Sequence, residues 1–436
     1  MNLPELRLDQ AILTVLAQAP SMTALELQRA TGKSQASVSL ALNRLDDAVC
    51  KMGAARSTRY ARTHPILGLD ARQVIGLAGP HPDEGLFGEL YFLHGNQMHV
   101  RGPRKSAWLC QNTLPWWLST LRPQGYLGRQ YARLRPDLPV DPDDWSLSQT
   151  LYIAANHFHD PPGAFAIGSY AAPPSADVAL ARRGKAFDDI ADASAQGLPA
   201  GSSAGGEQPK FVCRVNGTAV VVKFTPPRGT PFGERWHDLL QLEHMANTVL
   251  REHAVPSAQT ELVSTRKRSY LQSTRFDRIG ANGKRHVVAA APVHEAFVKG
   301  PRRHWIATAA ALTAQKLLAP EHLRSIACIY LFGQFIGNTD MHFGNLSFFV
   351  DDITRPVFVP TPVYDMLPMA WRPGLHGGEL DLVPIHPQRQ PAGFEAEAQQ
   401  ARAWAMEFWE RAAQLPALGD TVRDASAANA RSLRQA

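Results

Sequence analysis

The sequence predicts an α+β protein in three parts: a winged helix-turn-helix over residues 1–65, a mixed subdomain over 66–185 and a larger mixed domain over 186–436. Two short helical patterns flank Thr31-Gly32-Lys33 and are followed by a basic hairpin pattern. A stretch rich in Ala, Ser, Pro and Gly, residues 171–205, gives way to two apolar strands about Asn216-Gly217, a strong hairpin signal. A long helical run then ends in Gly337-Asn-Thr-Asp340, with Asn345 opening an apolar, strand-like run. The chain has 436 residues, 44% of them hydrophobic, enough for two or three cores. Its net charge of +6 permits an anionic partner without demanding one. No apolar run reaches the length of a membrane span, and the N-terminus lacks a basic-then-apolar signal, so a cytoplasmic protein with no membrane partner is expected. Cys50, Cys110, Cys213 and Cys328 are far apart and form no C-x-x-C pair, which predicts reduced thiols and no zinc site.

Leu8, Ile12, Leu13, Val15 and Leu16 repeat at helical spacing, and Pro20 closes that first helix. Thr23 caps a second helix through Ala30, with Leu25 and Leu27 expected inward. Ser34 caps a third, in which Val38, Ala41, Leu42 and Leu45 face the core. Its outward residues, Gln35, Ser37, Ser39, Asn43 and Arg44, suit base edges and phosphates, although a solvated face has the same composition. Leu40 stands where comparable recognition helices often carry Arg. Residues 49–62 place Lys51, Arg56, Arg59 and Arg62 about Gly53, as a wing along the phosphates would. DNA is the expected partner of residues 1–65; a protein-binding winged helix is the alternative.

The middle part is less informative. Residues 85–100 suggest a hairpin about Gly95-Asn96, and Trp116 and Trp117 suggest core aromatics. Residues 123–129 have the glycine spacing of a turn that opens a helix.

Chemistry concentrates after residue 200. Gly201-Ser202-Ser203-Ala204-Gly205-Gly206 precedes the first strand of the Asn216-Gly217 hairpin, and glycines let backbone N–H groups close on a polyanion. Lys223, in Val220-Val-Val-Lys223, stands where the kinase Val-Ala-Ile-Lys pattern carries its phosphate-pairing lysine. Glu243, on a helix over 238–252, is placed to pair with it; a surface glutamate is the alternative. The basic run Arg266-Lys-Arg268 is expected at a solvated hairpin tip. Asp340 and Asn345 have the spacing of the protein-kinase catalytic loop, in which Asp takes the hydroxyl proton and Asn holds Mg²⁺. A hairpin over 346–359 returns Asp365 beside Asn345, so that an amide and a carboxylate, both hard oxygen donors, share the metal. The last fifteen or so residues are expected to be frayed.

Gly337-Asn-Thr-Asp340-x-His342-x-x-Asn345, Tyr364-Asp365 and Arg275-Phe276-Asp277-Arg278 together resemble the HipA family of Ser/Thr kinases, toxins of bacterial toxin–antitoxin pairs. The resemblance spans roughly residues 75–420 and is specific from Gly201 onward. It implies a two-lobed, protein-kinase-like HipA fold using ATP and Mg²⁺, with Ser203, Ala204, Gly205 and Gly206 over the phosphates. Gln272 to Thr274 would be the backbone hinge to the base, and Phe276 would support it. His342 would donate to the transferring phosphoryl group or shape the loop. Ser202, with Ser203 close behind, would be autophosphorylated. The resemblance also implies a protein Ser/Thr substrate and a HipB-like antitoxin. An N-terminal DNA-binding domain fused to such a kinase is similar to the YjjJ-type (HipH) branch. Two other classes fit the same residues: a DNA-binding regulator with a nucleotide-sensing pseudokinase, and a metal-dependent nuclease-like toxin built on Asp340, Asn345 and Asp365.

Overall fold

The first helices are α1 (Leu3–Leu16), α2 (Ala24–Thr31) and α3 (Gln35–Arg44), and capping chemistry sets the last two. The Thr23 side chain accepts from the Glu26 N–H while the Glu26 carboxylate accepts from the Thr23 N–H, and Gly32 ends α2 with φ 65°. Ser34 accepts from the Ser37 N–H at the start of α3. Ile12, Leu16, Leu27, Val38, Ala41 and Leu42 close a core among the three. Leu25, expected inward, is exposed. It lies about 200° around the helix from buried Leu27, so the two cannot face one core. The computed structural model describes residues 3–78, 85–158, 160–168, 177–195, 208–280, 282–374, 382–385 and 391–435.

The chain divides into two units: Met1–Gly79, Asp83–Gln124 and Gly128–Ala172 form one, and Pro80–Pro82, Gly125–Leu127 and Pro173–Ala436 the other. In the first unit α3 leads to the antiparallel pair β1 (Val49–Met52) and β2 (Arg59–Arg62), the hairpin expected of a wing. Cys50, Met52 and Ala61 pack with Tyr91 and Leu93, Thr63 bridges to Leu93, and the Arg101 guanidinium donates to the Lys51 carbonyl at 2.6 Å. The expected boundary at residue 65 therefore falls inside a packed unit. Its antiparallel sheet comprises β3 (Arg72–Leu77), β4 (Leu86–Leu93), β5 (Gln97–Arg101), β6 (Ala107–Gln111) and β7 (Phe165–Ile167), in the order β6-β5-β4-β3-β7. Gly95 and Asn96 both take positive φ at the β4–β5 turn, which is why that pair marked the hairpin. Phe87, Trp108, Trp117 and Phe165 pack against one another, tilted or edge-on, on the sheet's inner face. The helices α4 (Gly125–Tyr131) and α5 (Leu147–Asn156) follow β6.

The second unit begins with β8 (Asp177–Val178), α6 (Arg183–Ala195), β9 (Lys210–Val215), β10 (Thr218–Phe224), α7 (Pro231–Glu252), β11 (Thr260–Ser264) and β12 (Ser269–Thr274). Their sheet has the order β11-β12-β10-β9-β8, with only β8 and β9 parallel. Phe187 and Ala191 of α6 pack on Phe211, Val220, Val222, Phe224 and Tyr270, so α6 covers one face. The Arg266-Lys-Arg268 tip is not simply solvated. Arg268 is buried and donates to Asp192 of α6 at 2.7 Å, and Lys267 bonds the same carboxylate.

A small hairpin, β13 (Arg278–Ile279) with β14 (Gly283–Lys284), leads to the helical lobe. That lobe holds the sheet β15 (Val287–Ala289), β16 (Ser347–Phe349) and β17 (Val359–Pro360). Its helices are α8 (Ala290–Phe297), α9 (Trp305–Ala314), α10 (Pro320–Phe335), α11 (Glu395–Gln414) and α12 (Asp420–Gln435). Far from fraying, α12 buries Val422, Ser426, Asn429, Ala430 and Leu433, one helical face. Among the described residues no helix is long and apolar enough to cross a membrane.

Candidate active site

Strand alternation decides where Lys223 goes. Val220, Val222 and Phe224 of β10 fill the core under α6, so Lys223 leaves the sheet on the opposite face. There α7, opened by the Thr230 cap and Pro231 two turns before the expected start, carries Glu243 on its buried side. Glu243 is 2% exposed, and the Lys223 ammonium donates to both its oxygens, at 2.5 and 2.6 Å. The same ammonium bonds the Asp365 carboxylate, which comes from the other lobe. One buried cation thus ties α7, β10 and the segment after β17.

The three charges shift one another. Burial works against the Lys223 ammonium, but Asp365 and Glu243 outweigh it and raise its pKa. Burial pushes the Glu243 carboxyl up, partly opposed by Lys223. Burial also pushes Asp365 up, but Lys223 and Lys210 overcome it and hold that carboxyl down at about 2. Lys210 escaped the sequence reading. It lies directly opposite Lys223 in the β9–β10 register, and only the pairing of those strands reveals it.

Asp365 sits in the left-handed region, φ 54°, which Asp and Asn adopt more readily than other non-glycine residues. Its surroundings fix it. The Tyr364 hydroxyl donates to the Gly344 carbonyl at 2.7 Å and lies 2.6 Å from Ser347 Oγ, while Asn338 Nδ2 donates to the Asp365 carbonyl at 3.2 Å. Asn338 Oδ1 accepts the Asp340 N–H at 3.0 Å, so this one buried amide joins both segments. It too was missed, because Gly-Asn-Thr signals only a helix stop.

The Asp340 loop is held from both ends. Gly337 leaves α10 with φ 74°, and a Cβ there would stand 2.3 Å from Ile385 Cδ1. Asn345 Nδ2 donates to the Asp340 carbonyl at 2.9 Å, which leaves its Oδ1 as the acceptor. Trp305 Nε1 donates to the His342 carbonyl at 3.1 Å. The Gly344 N–H donates to His342 Nδ1 at 2.9 Å, which assigns the neutral ring's proton to Nε2. A Cβ at Gly344 would lie 2.7 Å from that ring.

Other expected site residues lie elsewhere. Gln272 pairs with Val222 on the α6 face of the sheet, and its Oε1 accepts from Arg183 at 3.3 Å, so its side chain points away from Lys223. Phe276 packs against Tyr364, ring centroids 5.8 Å apart. Thr274 and Phe276 line a cavity of about 610 Å³ with Arg251 and Pro362, and neither Lys223 nor Asp365 reaches it. Ser202, Ser203, Ala204, Gly205 and Gly206 lie outside the described residues. On α3, Gln35, Ser39 and Asn43 are exposed, whereas Ser37 lies 3.0 Å from the Ser34 hydroxyl. Arg44 is bonded to Asp9 at 2.8 Å, and Arg59 to the Ser21 carbonyl at 2.7 Å. Lys51 and Arg56 are exposed.

The family profile of the HipA-like C-terminal domain matches residues 202–432, and that of the YjjJ-like toxin middle domain matches residues 81–173. Toxin YjjJ of Escherichia coli (strain K12) is 32% identical over 436 residues, covering 94% of each chain. Among solved structures, HipA of Shewanella oneidensis MR-1, in complex with HipB and its operator DNA, is similar with a TM-score of 0.53. That match has 18% identity and covers 83% of this chain and 95% of that one. A proinflammatory kinase of Helicobacter pylori, CtkA, gives a TM-score of 0.37 at 12% identity over 52% of this chain, too slight a likeness to argue from. With a relative this similar along nearly its whole length and family matches in its middle and C-terminal parts, the chain belongs to the HipA family of toxins, in the YjjJ-like branch.

Proposed function

We propose that this chain is a serine/threonine protein kinase that transfers the γ-phosphate of ATP to a protein hydroxyl and binds DNA through residues 1–65. The observation that carries the kinase reading is the Lys223 ammonium held by Glu243 from α7 and by Asp365 from the other lobe. This is the lysine–glutamate pair and metal-binding aspartate that phosphoryl transfer calls for. The Asp340 carboxylate accepts or orients the substrate hydroxyl proton, and Asn338 and Asn345 fix its backbone on both sides. His342 Nε2–H donates to the phosphoryl oxygens. Lys223, with Lys210 opposite it, offsets their charge.

Asn345 Oδ1 and the Asp365 carboxylate are hard oxygen donors that fit Mg²⁺, and they would hold it on ATP. When bound, the ion neutralises charge on the phosphates. In this reading residues 203–206 cover the phosphates and Ser202 or Ser203 accepts a phosphate. Toxicity checked by a HipB-like antitoxin is the matching biology, supported by the HipB and operator DNA that accompany the Shewanella protein.

The test is purified full-length protein with γ-labelled ATP and Mg²⁺. Label should enter protein serine or threonine, and Asp340→Asn should cut the rate by ~10²–10⁴-fold, the usual worth of a general base. Tight ATP binding with no transfer to any hydroxyl would overturn the kinase in favour of a nucleotide sensor.

A further inference from the structure

The exposed side of α3 carries two rows. Gln35, Ser39 and Asn43 form a polar row at successive helical turns, and beside it Ala36 and Leu40 form an apolar one. Leu40 is 61% exposed, while Val38, Ala41 and Leu42 fill the core on the other side. A leucine so placed contributes nothing to the core. No carboxylate occurs in α3; Asp46 and Asp47 lie beyond its last turn. Lys33 precedes the helix, and Lys51 and Arg56 follow it on the hairpin, all three exposed. The surroundings of the apolar row thus suit a polyanion.

The major groove of duplex DNA admits one α-helix and displays hydrogen-bonding edges together with one apolar group, the thymine 5-methyl. A polar row beside an apolar row is complementary to that surface. We propose that Leu40, with Ala36 beside it, receives thymine 5-methyl groups in the major groove, which makes thymine a required base in the sequence this chain selects. The inference rests on DNA binding by residues 1–65 and adds what that helix reads.

The experiment uses the full-length chain and a pool of duplexes with a randomised centre. Duplexes enriched by repeated binding at low salt are resynthesised with deoxyuridine in place of thymidine, one position at a time. This removes a single methyl and leaves every hydrogen-bonding group in place. At one or two positions the wild-type protein should bind about fourfold more weakly, the factor expected for one buried methyl. Leu40→Ala, at an exposed site that leaves the core intact, should lose that difference. Enrichment of a sequence whose binding ignores deoxyuridine everywhere overturns this proposal alone, as does an unchanged deoxyuridine penalty in Leu40→Ala. Retention of duplexes with no sequence enriched overturns this proposal alone, and failure to retain any duplex at low salt overturns the DNA-binding function itself.

Discussion

Asp365→Asn removes one charge from the Lys223 cluster and keeps the side-chain volume. Asn is also at ease with the positive φ of this position, so the substitution adds no backbone strain. The Asp365 carboxyl is held at about 2 against an ordinary 3.8. At about 1.4 kcal/mol per unit, ionisation there is worth roughly 2 kcal/mol to the fold. The side chain is a quarter exposed, and Glu243 remains to bond Lys223, so the net loss at pH 7 is about 1–2 kcal/mol. In a domain of this size that lowers Tm by about 2–8 °C. The folded pKa lies below the unfolded one. The contribution is therefore present above about pH 4 and is lost as the pH falls through about 2. Circular-dichroism melts of both proteins at pH 7, 5 and 3.5 should show a constant gap at the first two values and a smaller one at the third. A variant that melts at or above wild type at pH 7, or a gap that widens on acidification, refutes the assignment of a net stabilising Lys223–Asp365 bond.

Phosphorylation of the glycine-rich stretch should appear as added mass on the intact wild-type chain and vanish in the double variant Ser202→Ala, Ser203→Ala; unchanged mass addition places the modified residue elsewhere. Arg56→Ala should weaken binding to all DNA sequences alike and lower the log–log salt slope by roughly 0.9, measured by fluorescence anisotropy over a salt series. Arg44→Ala, by contrast, should lower thermal stability through loss of its bond to Asp9 and leave the salt slope unchanged.

What the sequence disclosed of the site follows the range of its interactions. Asp340 and Asn345 are five residues apart in one loop, and their bond is local. Lys223 was legible because Val220-Val-Val-Lys223 places a lysine at the end of an apolar run, as the kinase Val-Ala-Ile-Lys pattern does. Glu243 needed only the helical face of α7. Asn338 was hidden, since its role depends on meeting the Asp365 carbonyl, 27 residues away in sequence. Gln272 was expected as backbone, part of a hinge to the base, and the direction of its side chain leaves that expectation untouched. The side chain's face follows from the register with Val222, which no local pattern encodes.

The N-terminal part was legible as helices and hairpin but not as a surface. Arg44 was marked for DNA as an outward residue of α3 and Arg59 as a basic residue of the wing, and each is also engaged within the protein: Arg44 with Asp9, 35 residues back, and Arg59 with Ser21, 38 residues back. The hairpin is also anchored from outside its own domain, because Arg101 bonds the Lys51 carbonyl from 50 residues further on. Cys50, Met52 and Ala61 are buried against Tyr91 and Leu93. A fragment ending at residue 65 would expose that surface to water and cut the backbone just beyond the bridge between Thr63 and Leu93. The piece that keeps its core is the whole first unit, through residue 172. Lys51 and Arg56 are therefore presented by a hairpin braced on a five-stranded sheet rather than by a free wing, and the middle domain helps to fix where the charge of the wing stands.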